Sequence, residues 1–335
     1  MSAKIVVLGA GSFGTALAKL KAEGGHQVLL WARDPEVVRV INEENRHPRR
    51  LKQVRLPSGL RATASLEEAV AEAEFIVSAI PTVAVRSVWG TAKEFLAPNA
   101  RILSATKGIE CKTLMLVSDV LKDVLPASFH DKLAYLSGPS FALELARRLP
   151  TAVTIAAENP EVRQEIQRLI STDYFRAYET EDVIGVEVGG ALKNIVAIGA
   201  GAADGLGLGL NSRAALITRG LAEITRLATV LGGNPLTLAG LAGMGDLVLT
   251  CTGTLSRNRT VGFELGQGKK LDVILEALGE VAEGVNTTMA AYELAQKHQV
   301  EMPITAAIHR VLFEDAQARE TVFELMGRAL KHELQ

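Results

Sequence analysis

The N-terminal half of the chain alternates short apolar runs with longer stretches of helical spacing. The apolar runs are rich in valine, isoleucine and leucine, as buried parallel strands are. Because helical patterns separate them, they predict a doubly wound parallel sheet of the Rossmann type. The predicted strands cover residues 4–8, 27–32, 75–79, 101–105, 133–137 and 151–156.

The C-terminal half has a different pattern. Beyond residue 181 strand-like alternation stops and helical spacing takes over, for example over 214–231, 287–297 and 304–313. With 335 residues, the chain exceeds the usual size of a single core, so two domains are expected. We predict an α/β domain over 1–181 and an all-α domain over 182–335.

One apolar segment, 188–203, stands apart because it is rich in glycine and has a single ionisable residue, Lys193, followed by Asn194. A helix that is apolar on all sides is expected to be buried. A buried lysine must pair, reach a cleft or lose its proton, because desolvation disfavours the ammonium form. The segment alone leaves two readings open, a lysine that snorkels out of a core helix and a functional group in a cleft.

Composition narrows the class of protein. The formal net charge is -2, and hydrophobic residues make up 48% and charged residues 22% of the chain. These values indicate a soluble globular protein and argue against a nucleic-acid partner. Two cysteines without metal spacing, Cys111 and Cys251, and six scattered histidines predict neither a metal site nor a disulfide framework, which suits a cytoplasmic location.

No targeting or membrane segment is expected. The apolar run at the N-terminus is too short for a signal peptide. Only the 188–203 segment approaches the length needed to span a bilayer. Its Lys193-Asn194 pair favours a buried helix of a soluble protein, so we expect no stable membrane insertion.

A glycine motif follows the first predicted strand: Gly9, Gly11 and Gly14 stand between that strand and a helical pattern that stops at residues 24–25. In this context the motif predicts a dinucleotide site. The first glycine allows a tight turn, the second lets backbone approach a pyrophosphate, and the third lets helix pack on strand. The amides of Ser12 and Phe13 are then placed to hold the diphosphate. The alternative is a glycine-rich turn without a ligand.

The second predicted strand ends at Arg33-Asp34-Pro35. An acid here can accept a hydrogen bond from the ribose 2′-hydroxyl of NAD, whereas an arginine can bind the 2′-phosphate of NADP. Asp34 before Pro35 also fits a helix cap. We interpret Arg33 as the cofactor contact and Asp34 as the cap, which favours NADP without excluding NAD. The basic loop at 46–50 is predicted to be a solvated face.

Polar residues also follow later strands, where ligands bind in sheets of this kind. Lys107 precedes a glycine and can meet a phosphate or a reacting oxygen, or be a solvated loop lysine. Ser140 can cap a helix over 141–147 or contact a ligand.

Three polar groups of the C-terminal half remain. Asp246 lies in the glycine turn 243–247, either as a cap or as a functional group. Ser256, Arg257 and Asn258 stand at a probable helix start that suits a phosphate monoester, the alternative being a surface basic turn. The acidic turn 280–284 has no function that its spacing alone reveals.

Together these motifs resemble the bacterial form of the NAD(P)-dependent glycerol-3-phosphate dehydrogenase family. The resemblance covers essentially the whole chain, in the family's order. Its segments are 9–18, 31–35, 106–109, 137–142, 189–201, 243–247, 256–259 and 281–284. It implies reversible reduction of dihydroxyacetone phosphate to sn-glycerol 3-phosphate with NADP or NAD, for phospholipid biosynthesis. The 1–181 domain is then expected to bind NAD(P), and the 182–335 domain to bind substrate and carry out catalysis. A homodimer through the helical domain is also expected, since that domain is rich in apolar helices.

The resemblance further implies residue roles. Lys193 is the expected proton donor and acceptor. Expected substrate contacts are Lys107, Gly138, Ser140, Lys193, Asp246, Ser256, Arg257 and Asn258. Expected cofactor contacts include the three glycines of the motif. They are Gly9, Gly11, Ser12, Phe13, Gly14, Arg33, Lys107, Ala142, Arg257, Val281 and Glu283. The basic loop around Arg50 matches the family less well and receives no role.

Two other functions compete with this assignment. A dehydrogenase of the same architecture that acts on a β-hydroxy acid also places a Lys-Asn pair on a glycine-rich helix, but the Ser256-Arg257-Asn258 group favours a phosphate. A nucleotide-sensing protein without turnover has no evident use for a buried Lys193.

Overall fold

An eight-stranded sheet forms the centre of the N-terminal half. The structure is a computed structural model that describes residues 2–279, 282–330 and 332–333. The strand order is β3-β2-β1-β4-β5-β6-β7-β8. The strands are β1 Lys4–Leu8, β2 Gln27–Trp31, β3 Arg61–Thr63, β4 Phe75–Ser78, β5 Arg101–Ser104, β6 Leu133–Ser137, β7 Thr151–Ala156 and β8 Phe175–Thr180.

Helices cover both faces of this sheet, which is why central strands such as β1 are apolar on both faces. Val7 packs in the core on one face and Val6 in the core on the other, as the two-residue period of a strand requires. The helices are α1 Ser12–Glu23, α2 Pro35–Glu44, α3 Leu66–Val70, α4 Thr82–Ala92, α5 Val117–Val124, α6 Ala142–Ala146 and α7 Pro160–Ile170, with 3₁₀ turns at Lys93–Phe95 and Ala127–Lys132.

The sheet differs from the prediction at three points. β7 runs antiparallel to β6, whereas a fully parallel sheet was expected. The connection between them holds only the five-residue α6, too little for the crossover that a parallel pair requires. The patterns of β3 and β8 were not recognised, because β3 has three residues and the buried residues of β8 alternate with exposed ones.

Helices make up the second half. They are α8 Val183–Gly205, α9 Gly209–Val230, α10 Pro235–Leu238, α11 Asp246–Thr252, α12 Arg257–Gly266, α13 Leu271–Leu278, α14 Glu283–Lys297, α15 Pro303–Phe313 and α16 Ala318–Met326, with one π-helical turn at Leu241–Gly245. The predicted fold class, a Rossmann-type sheet followed by an all-α part, is confirmed. The division of the chain between residues 181 and 182 stays a prediction.

The glycine-rich α8 is the central helix of the second half. Its length and apolar composition would allow it to cross a membrane, but 94% of its most apolar window is buried inside the protein. The stretch Pro235–Thr252 passes the same test with 39% buried. Glycines let α12 approach α8 closely, since a Cβ at Gly201 would lie 2.0 Å from the Arg259 carbonyl oxygen.

Candidate active site

Three charged side chains meet where α8 lies against the sheet. Lys107, from the loop after β5, places its Nζ 2.8 Å from Asp246 Oδ2. Lys193, on α8, contacts the other carboxylate oxygen of Asp246. Only 8% of the Lys193 side chain and 2% of the Asp246 side chain are exposed. The structure therefore brings together three predicted site residues that are far apart in the sequence.

The π-helical turn sets the position of Asp246. A Cβ at Gly243 would lie 2.1 Å from the Leu238 carbonyl oxygen, so only glycine fits there. A Cβ at Gly189 would lie 2.8 Å from the Ala242 carbonyl oxygen, so the turn packs directly on α8. π-Helical turns often occur at functional sites. Asp246 is the first residue of α11 and its side chain binds the lysines, so the alternative reading of a simple cap is wrong.

Two hydroxyl groups that sequence reasoning missed complete the surroundings of Asp246. Thr250 Oγ1 donates to the Asp246 main-chain oxygen at 2.6 Å and lies 3.4 Å from Oδ1. Ser137 Oγ lies 3.5 Å from Oδ2. The spacing of Asp246 and Thr250, four residues on one helix, is the signal that could have identified Thr250. Ser137 had no such signal, because β6 and α11 meet only in the fold.

Burial and charge oppose each other in this cluster. Burial lowers the pKa of Lys193 to about 8, with Asp246 acting against the shift and Lys107 adding to it. Burial also disfavours the ionised form of Asp246, but the ammonium groups of Lys107 and Lys193 outweigh it and hold the pKa of that carboxyl below its ordinary value. With both lysines protonated, two positive charges face one negative charge. The cluster therefore favours an anionic ligand or a developing negative charge.

The loop after β6 borders the cluster. Gly138 has a positive φ of 133°, and a Cβ there would lie 2.9 Å from Val153 Cα, so this bend requires glycine. Ser140 Oγ donates to the Gly138 carbonyl oxygen at 2.9 Å. The N-cap of α6 is Phe141 and has no side-chain capping bond. Ser140 therefore does not cap this helix, and its possible ligand contact stays a prediction.

The predicted phosphate-binding group lies at the start of α12, as expected. Ser256 is the N-cap, and its Oγ accepts a hydrogen bond from the Arg259 amide at 3.2 Å. Asn258 Oδ1 accepts from the Gly284 amide at 3.0 Å and so ties α12 to α14. Desolvation and the charge of Arg50 lower the pKa of Arg257, while Glu283 acts in the opposite direction. Arg257 thus lies within electrostatic reach of the basic loop and of Glu283, a predicted cofactor contact.

The glycine motif has the geometry that a dinucleotide requires. Gly9 adopts a positive φ of 108°, and a Cβ there would lie 2.7 Å from the Ala79 carbonyl oxygen. A Cβ at Gly14 would lie 2.0 Å from the Gly9 carbonyl oxygen, which fixes the start of α1 against β1. A Cβ at Gly11 would meet nothing within 4 Å. Gly11 therefore faces free space at the helix N-terminus, where Ser12 and Phe13 follow, and the motif fits a bound diphosphate.

The end of β2 confirms Asp34 as a helix cap, while the cofactor contact of Arg33 stays a prediction. Asp34 is the N-cap of α2, and its Oδ1 accepts from the Glu36 amide at 2.9 Å. Its Oδ2 pairs with Arg49. Arg33 is exposed at the strand end. The prediction that the basic loop 46–50 is a solvated face is wrong in part. His47 in this loop is buried and Arg50 is partly buried.

Three of the remaining predicted cofactor residues, Phe13, Ala142 and Glu283, lie in the described part of the chain. Phe13 and Ala142 both pack against the core under α1. Glu283, the first residue of α14, has a carboxylate whose pKa is raised by burial and lowered again in part by hydrogen bonds from Thr82. Val281 lies outside the described residues. In the described part of the chain, no group of three or more His, Cys, Asp or Glu residues could hold a metal ion.

Known proteins resemble this chain along its full length. Residues 4–163 match the family model of the NAD-dependent glycerol-3-phosphate dehydrogenase N-terminus, and residues 182–323 match the model of the C-terminus. The NAD(P)+-dependent glycerol-3-phosphate dehydrogenase of Leptospira biflexa is 50% identical over 98% of this chain and 99% of its own. That of Myxococcus xanthus is 52% identical over 98% of both chains.

A solved structure agrees. The crystal structure of glycerol-3-phosphate dehydrogenase from Coxiella burnetii superposes with a TM-score of 0.93 at 41% identity, covering 98% of this chain and 99% of that one. The fold, the glycine motif and the buried lysine cluster lead to the same conclusion as these similarities. The chain belongs to the NAD(P)-dependent glycerol-3-phosphate dehydrogenase family.

Proposed function

We propose that the chain interconverts dihydroxyacetone phosphate and sn-glycerol 3-phosphate, with Lys193 as the proton donor and acceptor. The observation that carries the proposal is the buried contact of Lys193 with Asp246, beside Lys107, next to the carboxyl ends of the central strands. The product supplies phospholipid biosynthesis, as the family assignment implies.

Lys193 provides the proton that carbonyl reduction needs. The bound nicotinamide cofactor supplies the hydride for C2 of the substrate. The alkoxide that develops on the C2 oxygen needs a proton and a positive field in a site with little water. Lys193 can give both, because its lowered pKa of about 8 makes the ammonium a better acid than an ordinary lysine. Asp246 holds the Lys193 Nζ in place, and its negative charge limits how far burial lowers the pKa of the lysine. Asn194, the next residue on α8, helps to orient the lysine or the substrate.

Other polar groups hold the phosphate end of the substrate. Lys107 adds positive charge beside Lys193, and Arg257 with Ser256 and Asn258 offers guanidinium, hydroxyl and amide groups at the start of α12. Phosphate is commonly bound by arginine and by the amides of a helix N-terminus. Gly138 and Ser140, in the loop after β6, are the remaining proposed substrate contacts. A β-hydroxy acid has no phosphate to use these donors.

For the cofactor, we propose the glycine motif and α1 as the diphosphate site, with Arg33 at the adenosine end. The residues Gly9, Gly11, Ser12, Phe13 and Gly14 fit this role by their geometry. Lys107, Ala142, Arg257, Val281 and Glu283 complete the proposed contacts. The pairing of both Asp34 oxygens supports NADP over NAD, because a ribose 2′-hydroxyl would have to compete with the Glu36 amide and the Arg49 guanidinium for this carboxylate.

We propose a cytoplasmic homodimer that does not insert into membranes. Several large apolar side chains of the helical part are exposed, among them Leu210, Phe323 and Met326. Such side chains favour association with a second copy. Burial of α8 inside the protein supports a core role for the most apolar helix rather than a membrane span. Light scattering that gave the mass of a single chain would contradict the dimer.

A substrate panel tests the reaction. Purified protein is mixed with NADPH or NADH and with dihydroxyacetone phosphate, dihydroxyacetone or a β-keto acid, and absorbance of the reduced nicotinamide is followed. Loss of absorbance with dihydroxyacetone phosphate, and far slower loss with the unphosphorylated analogue, supports the proposal. Turnover of the β-keto acid alone would assign the rival chemistry, and binding without any oxidation would indicate a sensor.

A further inference from the structure

A buried histidine joins the basic loop to the glycine motif. His47 is only 4% exposed, and its Nε2 lies 2.9 Å from the carbonyl oxygen of Ala10, between Gly9 and Gly11. A carbonyl oxygen can only accept, so Nε2 carries the proton. Nδ1 then accepts from the amides of Arg49 at 3.1 Å and Arg50 at 2.9 Å. His47 therefore holds two adjacent amides of the basic loop against the loop that the cofactor diphosphate is proposed to contact.

The same turn places a guanidinium on the acid at the end of β2. Arg49 Nη2 pairs with Asp34 Oδ2, while Asp34 Oδ1 caps α2. Arg49 and the Glu36 amide both hold the pKa of Asp34 below its ordinary value, so this acid stays ionised. An ionised acid at this position is the group that selects NAD in other dinucleotide folds. Here the carboxylate oxygen that does not cap α2 is paired with a guanidinium.

We propose that Arg49 is a specificity-determining residue and His47 its positioning residue, together favouring NADP over NAD. Arg49 competes with a ribose 2′-hydroxyl for the Asp34 carboxylate and adds positive charge beside Arg33. His47 keeps Arg49 in this place by fixing its amide to the glycine motif. The inference rests on the proposed cofactor site and goes beyond it, because sequence reasoning assigned neither residue a role.

The test compares two arginines of one loop. Arg49→Gln removes the pairing with Asp34. Arg46→Gln is the matched control, because Arg46 pairs with Glu44 instead and has nearly the same side-chain exposure, 58% against 57% for Arg49. Both variants lose one positive charge, so they change the general electrostatic attraction of NADPH equally. Dissociation constants for NADPH and NADH are measured by nicotinamide fluorescence without substrate.

We expect Arg49→Gln to lower the preference for NADPH over NADH by about tenfold, a typical effect of one charge-assisted contact. Part of this change should come from tighter binding of NADH to Arg49→Gln. Adding Asp34→Asn to that variant should remove the gain in NADH affinity. Arg46→Gln should change the ratio less than about twofold. Equal ratios in Arg49→Gln and Arg46→Gln would overturn the role of Arg49.

Two substitutions test His47. His47→Asn keeps an acceptor near the position of Nδ1 for the two amides, and His47→Ala removes it. We expect His47→Ala to lower the NADPH preference as Arg49→Gln does, and His47→Asn to restore most of it. A loss of affinity that is equal for both cofactors in both variants would mean that His47 only supports the fold. Failure of the unmodified protein to bind either cofactor would instead contradict the proposed function.

Discussion

At the level of single residues, the chemistry depends on how burial changes the proton affinity of Lys193. A second lysine shows that burial alone does not make a catalytic group. Lys21 is also buried and its pKa is also lowered to about 8, but its Nζ donates to the Leu169 carbonyl oxygen between α1 and α7. Lys193 differs because it shares Asp246 with Lys107. The shared carboxylate, not the shifted pKa, marks the candidate active site.

The lowered pKa of Lys193 predicts opposite pH dependences for the two directions of the reaction. Reduction needs the ammonium, so its kcat/KM should fall as the pH rises above about 8. Oxidation of sn-glycerol 3-phosphate needs the neutral amine, so its kcat/KM should rise over the same interval. Initial rates between pH 6 and pH 10 with each substrate measure both curves. Two parallel curves would contradict the role of Lys193 as acid and base.

Glu187, on α8 six residues before Lys193, offers a prediction about stability. Its Oε1 accepts from the Ser118 amide at 3.0 Å, and burial raises its pKa to about 8. Because the unfolded carboxyl ionises near its ordinary pKa, stability present at low pH is lost progressively as the pH rises to about 8. Glu187→Gln, which imitates the protonated form, should therefore raise the free energy of unfolding by about 1–2 kcal/mol at pH 8.

The control for Glu187→Gln is the same comparison at pH 4.5, where the native carboxyl is protonated and the gain should vanish. Urea unfolding at the two pH values provides both numbers. An equal gain at both would show that the amide stabilises by a route other than ionisation.

At the level of elements, glycines decide how closely α8 and α12 pack. A Cβ at Gly201 would lie 2.0 Å from the Arg259 carbonyl oxygen, and one at Gly262 would lie 1.8 Å from the Ile198 carbonyl oxygen. This contact brings the start of α12, with Arg257 and Asn258, next to the helix that carries Lys193. The low helix propensity of glycine in α8 is thus offset by close backbone packing.

Gly201→Ala should lower the free energy of unfolding by at least about 2 kcal/mol, because backbone atoms cannot move aside as a flexible side chain can. Gly90→Ala in α4 is the matched control, since a Cβ there would meet nothing within 4 Å. The control should gain up to about 1 kcal/mol from helix propensity. Equal effects of the two changes in thermal or urea unfolding would contradict the packing argument.

The bounds of strands could be predicted from the sequence where nearly the whole strand is buried. Strands such as β1 and β6 are continuous apolar runs, and both were predicted with their observed bounds. The direction of β7 could not be predicted, because it depends on the length of the structured connection rather than on the strand. The π-helical turn at 241–245 was likewise hidden: its glycines were visible, but the contacts of Gly243 with Leu238 exist only in the fold.

At the level of the whole molecule, cofactor binding should be coupled to stability. A cofactor at one hundred times its dissociation constant raises the free energy of unfolding by about 2.7 kcal/mol if it binds only the native state. Gly11→Val should abolish this gain while leaving the stability of the free protein within about 1 kcal/mol, because the added side chain enters open space. Thermal unfolding with and without NADPH measures both quantities. An undiminished gain in Gly11→Val would place the diphosphate elsewhere.

The candidate site is an assembly that sequence motifs locate only in part. Lys107, Lys193 and Asp246 each follow a recognisable local signal, and the fold brings them to one point. Ser137 and His47 have no such signal, because their roles come from contacts with segments far away in the chain. Sequence reasoning therefore found the charged centre but missed Ser137, which borders it, and His47, which lies against the glycine motif.

The central claim is that Lys193 handles the proton in the reduction of dihydroxyacetone phosphate. The most direct measurement is kcat for NADPH oxidation by Lys193→Ala, beside Lys21→Met, which removes the other buried lysine. The account predicts that Lys193→Ala lowers kcat by about 10²–10⁴-fold or more, with NADPH binding retained, and that Lys21→Met keeps kcat close to that of the unmodified protein. A near-normal kcat in Lys193→Ala would contradict it.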